Sequence, residues 1–310
     1  MSKTSKDAVT KEPESESALT PQVRISPTSI NTYYKCPRSY FYNYIAKLRV
    51  IPNIHMVKGS IVHKALEDFY KGFPKKGTLK THMELCFANA WKGMEKLVKN
   101  LQLSDAEVKS AMKDCTNMTT EYLITLERKI GHLIDREKAE NIRHGYYLLK
   151  PKMRELYVKN EDLHCVGFID RIHEDFNGVL TIADYKTSSK YGVGLPEDYK
   201  RQLSIYSLLY KLQEGRQPDF SAVIFLRYGE SYFLEVTPSL LRYARDSIND
   251  VWAKTRSSVI EDYPLKENNL CRWCQFQNIC NGQEDWEATL RKQKLMDKLK
   301  EGKEEEKKSE

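Results

Sequence analysis

The chain has no run of about 18 consecutive apolar residues, and its N-terminus lacks the apolar centre of a secretory signal. A membrane-spanning protein and a secreted one are thereby disfavoured, and an intracellular, cytoplasmic location is the expectation. No G-x-x-x-x-G-K-[ST] loop is present, so any nucleotide-driven motor would have to be another chain. Internal repeats are also missing. Cysteine is sparse and odd in number, seven in 310 residues, which argues against a disulfide framework and towards metal binding for whichever thiols cluster.

What is present is enough apolar residue, 40% of the chain, to bury a substantial core, and a net charge of +7. The first 22 residues hold three lysines against four acids, and the last 25 hold eight basic against seven acidic residues. The positive excess therefore belongs to the middle of the chain, which suits a polyanionic partner such as nucleic acid.

Residues 1–22 are polar and read as a disordered tail. Order is expected over 23–285, followed by a charged helix or tail over 286–310. In RISPTSINTYYKCPRSYFYNYIAKL, Ser26 can cap a helix with Pro27 at its first position, and Cys36 before Pro37 predicts a break. GSIVHKALEDFYKGF reads as a second helix, with His63 beside an apolar stripe. Residues 81–149 read as mostly helical. Period-2 patterning then predicts a catalytic sheet over about 152–236, built from RELYVKN, HCVGFIDRI, VLTIADYKT, SAVIFLRYG and SYFLEVT, with a helix from about Glu197 to Glu214.

In GVLTIADYKTSS, Asp184 and Lys186 stand two apart at the end of an apolar strand and so share a face. Asp170, in the preceding strand, comes near them across the Asn177-Gly178 turn. Two carboxylates and a lysine in one region suit a divalent-metal phosphodiesterase: hard oxygen ligands for Mg²⁺ or Mn²⁺, and a cation beside the attacking water or the phosphate. The plain alternative is a self-neutralising Asp184–Lys186 pair. Gln202 and Tyr206 lie four apart on one helix face. Near the C-terminus, CRWCQFQNIC holds Cys271, Cys274 and Cys280 with no histidine to complete a site, and the lone Cys36 is the best fourth ligand. Soft thiolates so spaced suit zinc or an iron-sulfur cluster.

Five segments, SPTSINTYYKCPRSYFYNYI, GSIVHKALEDFY, GFIDRI, ADYKTS and QLSIY, taken in this order, resemble the RecB-like branch of the PD-(D/E)XK nucleases, especially the CRISPR-associated RecB-type exonucleases and the AddB nuclease domain. The resemblance implies an α/β restriction-endonuclease-like core with a mixed central sheet, a helical insertion over about 81–149 and termini tethered by a 4Fe-4S cluster on Cys36, Cys271, Cys274 and Cys280. It implies that His63, Asp170, Asp184 and the carbonyl of Tyr185 hold Mg²⁺ or Mn²⁺, that Lys186 is the catalytic lysine, and that Gln202 and Tyr206 orient the site or the DNA backbone. The implied activity is metal-dependent exonucleolysis of DNA, on single-stranded ends and in the 5′ to 3′ direction, in repair, recombination or CRISPR adaptation. The rival reading is a DNA-binding or assembly partner of a helicase or spacer-acquisition complex, with secondary nuclease activity; an RNA substrate is a third. Arg24, Lys35, Arg38, Lys47, Arg49, Lys190, Lys200 and Arg201 are candidates to track a nucleic-acid backbone, and tyrosines of YYKCPRSYFYNYI to stack on single-stranded bases.

Overall fold

The computed structural model describes residues 24–50, 52–189 and 194–309, with side chains described up to residue 297. The expected disordered tail over 1–22 and the candidate Lys190 lie outside the described residues.

The chain opens with α1 (Pro27–Lys35), where the Ser26 hydroxyl accepts from the Ser29 amide and the Ser29 hydroxyl returns the bond, with Pro27 at the first helical position. Cys36 is extended, φ −162°, because the proline that follows disfavours helical backbone; the chain restarts as α2 (Pro37–Tyr40) and runs into one π-helical turn, Phe41–Ile45. There follow α3 (Ile54–Phe69), α4 (Leu79–Asn100), α5 (Asp105–Asp135) and α6 (Ile142–Leu149). The strands are β1 (Met153–Asn160), β2 (Cys165–Glu174) and β3 (Leu180–Lys186), then β4 (Phe220–Phe225) and β5 (Glu230–Glu235) after α7 (Glu197–Glu214). The chain closes with α8 (Pro238–Lys254), the short α9 (Gln277–Cys280) and α10 (Trp286–Ser309).

The five strands form one sheet in the order β1-β2-β3-β4-β5. All neighbours are antiparallel except β3 and β4, which run parallel because α7 carries the chain back between them. The sheet is therefore mixed, as expected. Ile30, Leu180, Ile182, Ile205, Leu209 and Ile248 close one core between the sheet and α1, α7 and α8. Leu66, Met118, Tyr122, Leu126, Tyr146 and Tyr185 close a second, with α3, α5 and α6. Each of these buried aliphatic side chains contributes about 1.5–3 kcal/mol, and the site is built along the seam that the two layers leave open.

One irregularity in the sheet matters for that site. Ile169 and Ile172 belong to the same core cluster although they are three apart, which strict alternation forbids. The break falls at Asp170 and at its cross-strand neighbour Glu155, whose φ is 47°. A left-handed glutamate in a strand costs about 1–3 kcal/mol, and here it turns two carboxylates out of the ladder together.

Candidate active site

The seam is lined by His63 from α3, Gly167, Phe168 and Asp170 from β2, Asp184, Tyr185 and Lys186 from β3, and Gln202 and Tyr206 from α7. Residues more than a hundred positions apart in the chain thus meet at one end of β2 and β3.

Two linked groups can be distinguished. In the first, His63 Nδ1 lies 3.4 Å from Asp170 Oδ1 and His63 Nε2 lies 3.1 Å from the Tyr185 carbonyl. Glu155 joins them: among the described residues, His63, Glu155 and Asp170 form the group of three whose donor atoms all lie within 4.8 Å of one another. Asp170 is fixed from its other oxygen, which accepts from the Tyr185 amide at 2.7 Å. In the second group, Lys186 Nζ lies 2.7 Å from Asp184 Oδ2 and donates to Gln202 Oε1 at 2.8 Å. Gln202 Nε2 in turn donates to Asp184 Oδ1 at 2.9 Å and reaches the Tyr206 hydroxyl at 3.2 Å. Gln202 and Tyr206, singled out by their helical spacing, therefore act on the Asp184–Lys186 pair.

Protonation follows from this crowding. Burial raises the Asp184 carboxyl above its ordinary value, and Lys186 opposes that rise while Asp170 adds to it. Burial disfavours the Lys186 ammonium, but the Asp184 and Asp170 charges prevail and hold it charged. His63 is likewise penalised by burial, yet Asp170, Asp184 and Glu155 lift it to about 9. Desolvation and the nearby Asp170 charge push Glu155 up to about 7, against the pull of His63. Excess negative charge thus gathers at one point, the electrostatic condition for holding a cation.

The residues fit a divalent ion. Three carboxylates, an imidazole and a carbonyl converge, and Asp184 Oδ2 is a buried oxygen that accepts no aligned hydrogen bond, even though the Lys186 ammonium touches it. Glu155 was not among the residues singled out in the sequence. The signal was there: pairing Asn160 with Cys165 across a four-residue turn places Glu155 opposite Asp170.

At the C-terminal end of α1, Cys36, Cys271, Cys274 and Cys280 line one pocket with Tyr42, Trp273 and Phe276. Burial raises the Cys274 and Cys280 thiols, and the charges of the other cysteines around the pocket, Cys36 and Cys271 among them, raise them further. No three of these sulfurs meet the 4.8 Å spacing found at the carboxylate site. Cys86, Cys115 and Cys165 are separate core thiols, pushed by burial to about 11, 12 and 12.

Other candidates are committed elsewhere. Tyr40, Phe41 and Tyr42 are buried, stacked among Tyr263, Phe276 and Trp286, so these three aromatic side chains of the first helical segment serve the core and not bases. Lys35 bridges to Asp198 and Arg24 to Glu161, Arg49 pairs with Asp297, Arg38 donates to the Tyr263 carbonyl, Lys200 lies over Tyr243, and Arg201 lies over Tyr34 while donating to Asn31. No helix among the described residues is long and apolar enough to cross a membrane.

The pattern of the PD-(D/E)XK nuclease superfamily matches residues 24–281. An uncharacterised protein of Rickettsia conorii is 25% identical over 170 residues, 53% of this chain and 19% of its own length. Another from Rickettsia felis is 25% identical over 189 residues, 59% of this chain and 21% of its own length. The chain thus spans about a fifth of the length of the curated relatives it matches. A crystal structure described as that of a candidate exonuclease from Eubacterium rectale aligns with a TM-score of 0.48 and 13% identity, over 87% of this chain and 93% of that one. The chain belongs to the PD-(D/E)XK nuclease superfamily.

Proposed function

We propose that this member of the superfamily is a RecB-like, metal-dependent exonuclease that hydrolyses DNA phosphodiesters at single-stranded ends, with 5′ to 3′ polarity favoured. One observation carries the reading: the His63, Glu155 and Asp170 donors converge beside a buried Asp184–Lys186–Gln202 chain. Asp170, Asp184, His63, Glu155 and the Tyr185 carbonyl are the residues that would hold Mg²⁺ or Mn²⁺. When bound, the ion supplies Lewis-acid polarisation of the phosphate and a water of lowered pKa.

The protein's own part is positioning and charge. Lys186, kept protonated by Asp184, presents an ammonium where negative charge builds on the phosphate oxygens. Gln202 holds both Asp184 and Lys186 by their side chains, and Tyr206 backs Gln202, so the ammonium cannot swing away. His63 orients Asp170. The helices α3 to α5 on the Glu155 side would narrow access and favour strand ends over internal duplex.

The second cofactor of this reading is a 4Fe-4S cluster on Cys36, Cys271, Cys274 and Cys280. One feature supports it: the four thiols share one pocket, and Cys274 and Cys280 feel the charges of the others. Its role would be structural, joining α2 to the C-terminal segment.

The rival, an assembly partner of a helicase or a spacer-acquisition complex, is favoured by one fact: the similar proteins are about three times longer, so the matching region lies there inside a larger chain. Anaerobic purification and digestion of 5′- and 3′-labelled single and double strands with Mg²⁺ or Mn²⁺, beside Lys186→Ala, tests these readings. The expected results are a brown protein and end-specific loss of single strands. A Lys186→Ala protein that degrades DNA as fast as the parent sinks the exonuclease; cleavage seen only with a co-purified partner favours the rival.

A further inference from the structure

The sheet places a second cross-strand pair beside the carboxylates. Glu155 and Asp170 interrupt the ladder of β1 and β2 between the pairs Arg154–Arg171 and Leu156–Ile169, and two residues along each strand Tyr157 pairs with Phe168. The step is about 7 Å, and Phe168 and Asp170 line the same cleft. The two rings pack against each other, with centroids 5.0 Å apart, yet Phe168 is 55% exposed and Tyr157 39% exposed. Two large rings left in contact with each other and with water beside the cleft form an exposed apolar patch whose covering by a ligand is favourable. Phe168 also lines the cleft itself, with Asp170, Asp184, Lys186 and the half-exposed Met56.

The electrostatics say which way a strand would lie. Two clefts meet at His63 and Gly59. The one towards α4 is lined by Glu67, Asp68 and Glu155, with Lys64 engaged by Glu67 and Asp68. The one towards Phe168 has two acids, Asp170 and Asp184, against Lys186, with His55 and the hydroxyls of Thr28, Thr187 and Ser188. A phosphate chain is repelled less on the Phe168 side.

We propose that Tyr157 and Phe168 form a base-stacking platform that seats a nucleotide flanking the scissile phosphate and so selects unpaired DNA. An unpaired base can turn its face onto an exposed ring wherever it lies along the strand, whereas a base pair inside a duplex is already stacked on both sides. The inference rests on the nuclease reading above and adds to it the group that recognises a single strand. It also moves the stacking function from the buried aromatics of the first helices to a strand pair.

The test uses the full chain and three variants, Phe168→Ala, Tyr157→Ala and Phe168→Tyr, on a single-stranded oligonucleotide and on the same strand carrying abasic sites next to the cleaved bond. Phe168→Ala should raise KM on the normal strand about tenfold with kcat within about twofold, and Tyr157→Ala somewhat less. On the abasic strand parent and variants should coincide, and Phe168→Tyr should behave as the parent. Equal loss on both strands, or no loss on either, overturns the platform. Binding is read separately, without cleavage, by the quenching of 2-aminopurine fluorescence when the labelled base stacks. A parent that quenches but does not cleave keeps the platform and defeats the nuclease reading; a parent that cleaves with quenching unchanged in Phe168→Ala does the reverse.

Discussion

At the carboxylate end every functional group arrives on a regular element: His63 on α3, Glu155 on β1, Asp170 on β2, Asp184 and Lys186 on β3, Gln202 and Tyr206 on α7. At the cysteine end the four thiols sit in the break between α1 and α2, in a single 3₁₀ turn and its cap, and at the end of the four-residue α9. There the backbone is held by scattered bonds, such as Arg38 Nε to the Tyr263 carbonyl at 2.7 Å and Asn268 Nδ2 to the Lys35 carbonyl at 3.2 Å. A sheet between two helical layers can hold mutually repelling charges in place before any cation arrives, because the packed core around them offsets the cost. Short elements with few backbone bonds of their own have no such support, and a group that bridges them contributes folding stability directly. Damage at the first end should therefore appear as lost activity, and damage at the second as lost stability.

The largest effect is expected of Lys186→Ala, which should lower cleavage about a thousandfold in a labelled-strand assay if, as proposed, this ammonium meets the charge that builds on the phosphate. If activity survives, the carboxylate end is not the reacting centre. Next is Cys274→Ser, expected to lower the melting temperature by about 10 °C, as several kcal/mol would in a chain of this size, while Mn²⁺ affinity stays at the parent value. A variant that melts with the parent would remove the stability half of the contrast. Glu155→Gln should weaken Mn²⁺ binding at least about tenfold by isothermal titration, with little change in melting.

The smallest effect is expected at Gly167. A Cβ on Gly167 would come within 2.7 Å of the Tyr206 ring, so only glycine lets that ring lie against β2 behind Gln202. Gly167→Ala should cost about 1–3 kcal/mol by overpacking, and should lower kcat through a displaced Gln202 while KM holds. A drop in melting temperature with unchanged kcat would show that Tyr206 serves packing alone.

Much of this was legible in the chain. The Ser26-Pro27 start, the Cys36-Pro37 break and the period-2 run into Asp184 and Lys186 are local chemistry, and each lies where local rules place it. The Gln202 and Tyr206 spacing was legible for the same reason. Glu155 was not, because an acid in a strand with polar neighbours reads as a solvent-facing residue until the register of β1 against β2 sets it opposite Asp170. The aromatic cluster was ambiguous for a different reason: tyrosines at helical spacing suit a core and a stacking surface equally, and only the packing of Tyr263, Phe276 and Trp286 onto them decides. The basic residues behave likewise, since their partners are mostly more than a hundred positions away.

Helices, strands and the candidacy of Asp170, Asp184 and Lys186 were fixed by the chain alone, because capping, proline breaks and alternation act over a few residues, whereas the mixed order of the sheet came only from the family resemblance. The tertiary structure alone decided which acid joins His63 and Asp170, how Asp184 is shared between Lys186 and Gln202, and which aromatic rings meet water. Those outcomes depend on strand register and on a left-handed turn of Glu155, and neither is specified by neighbours in the chain.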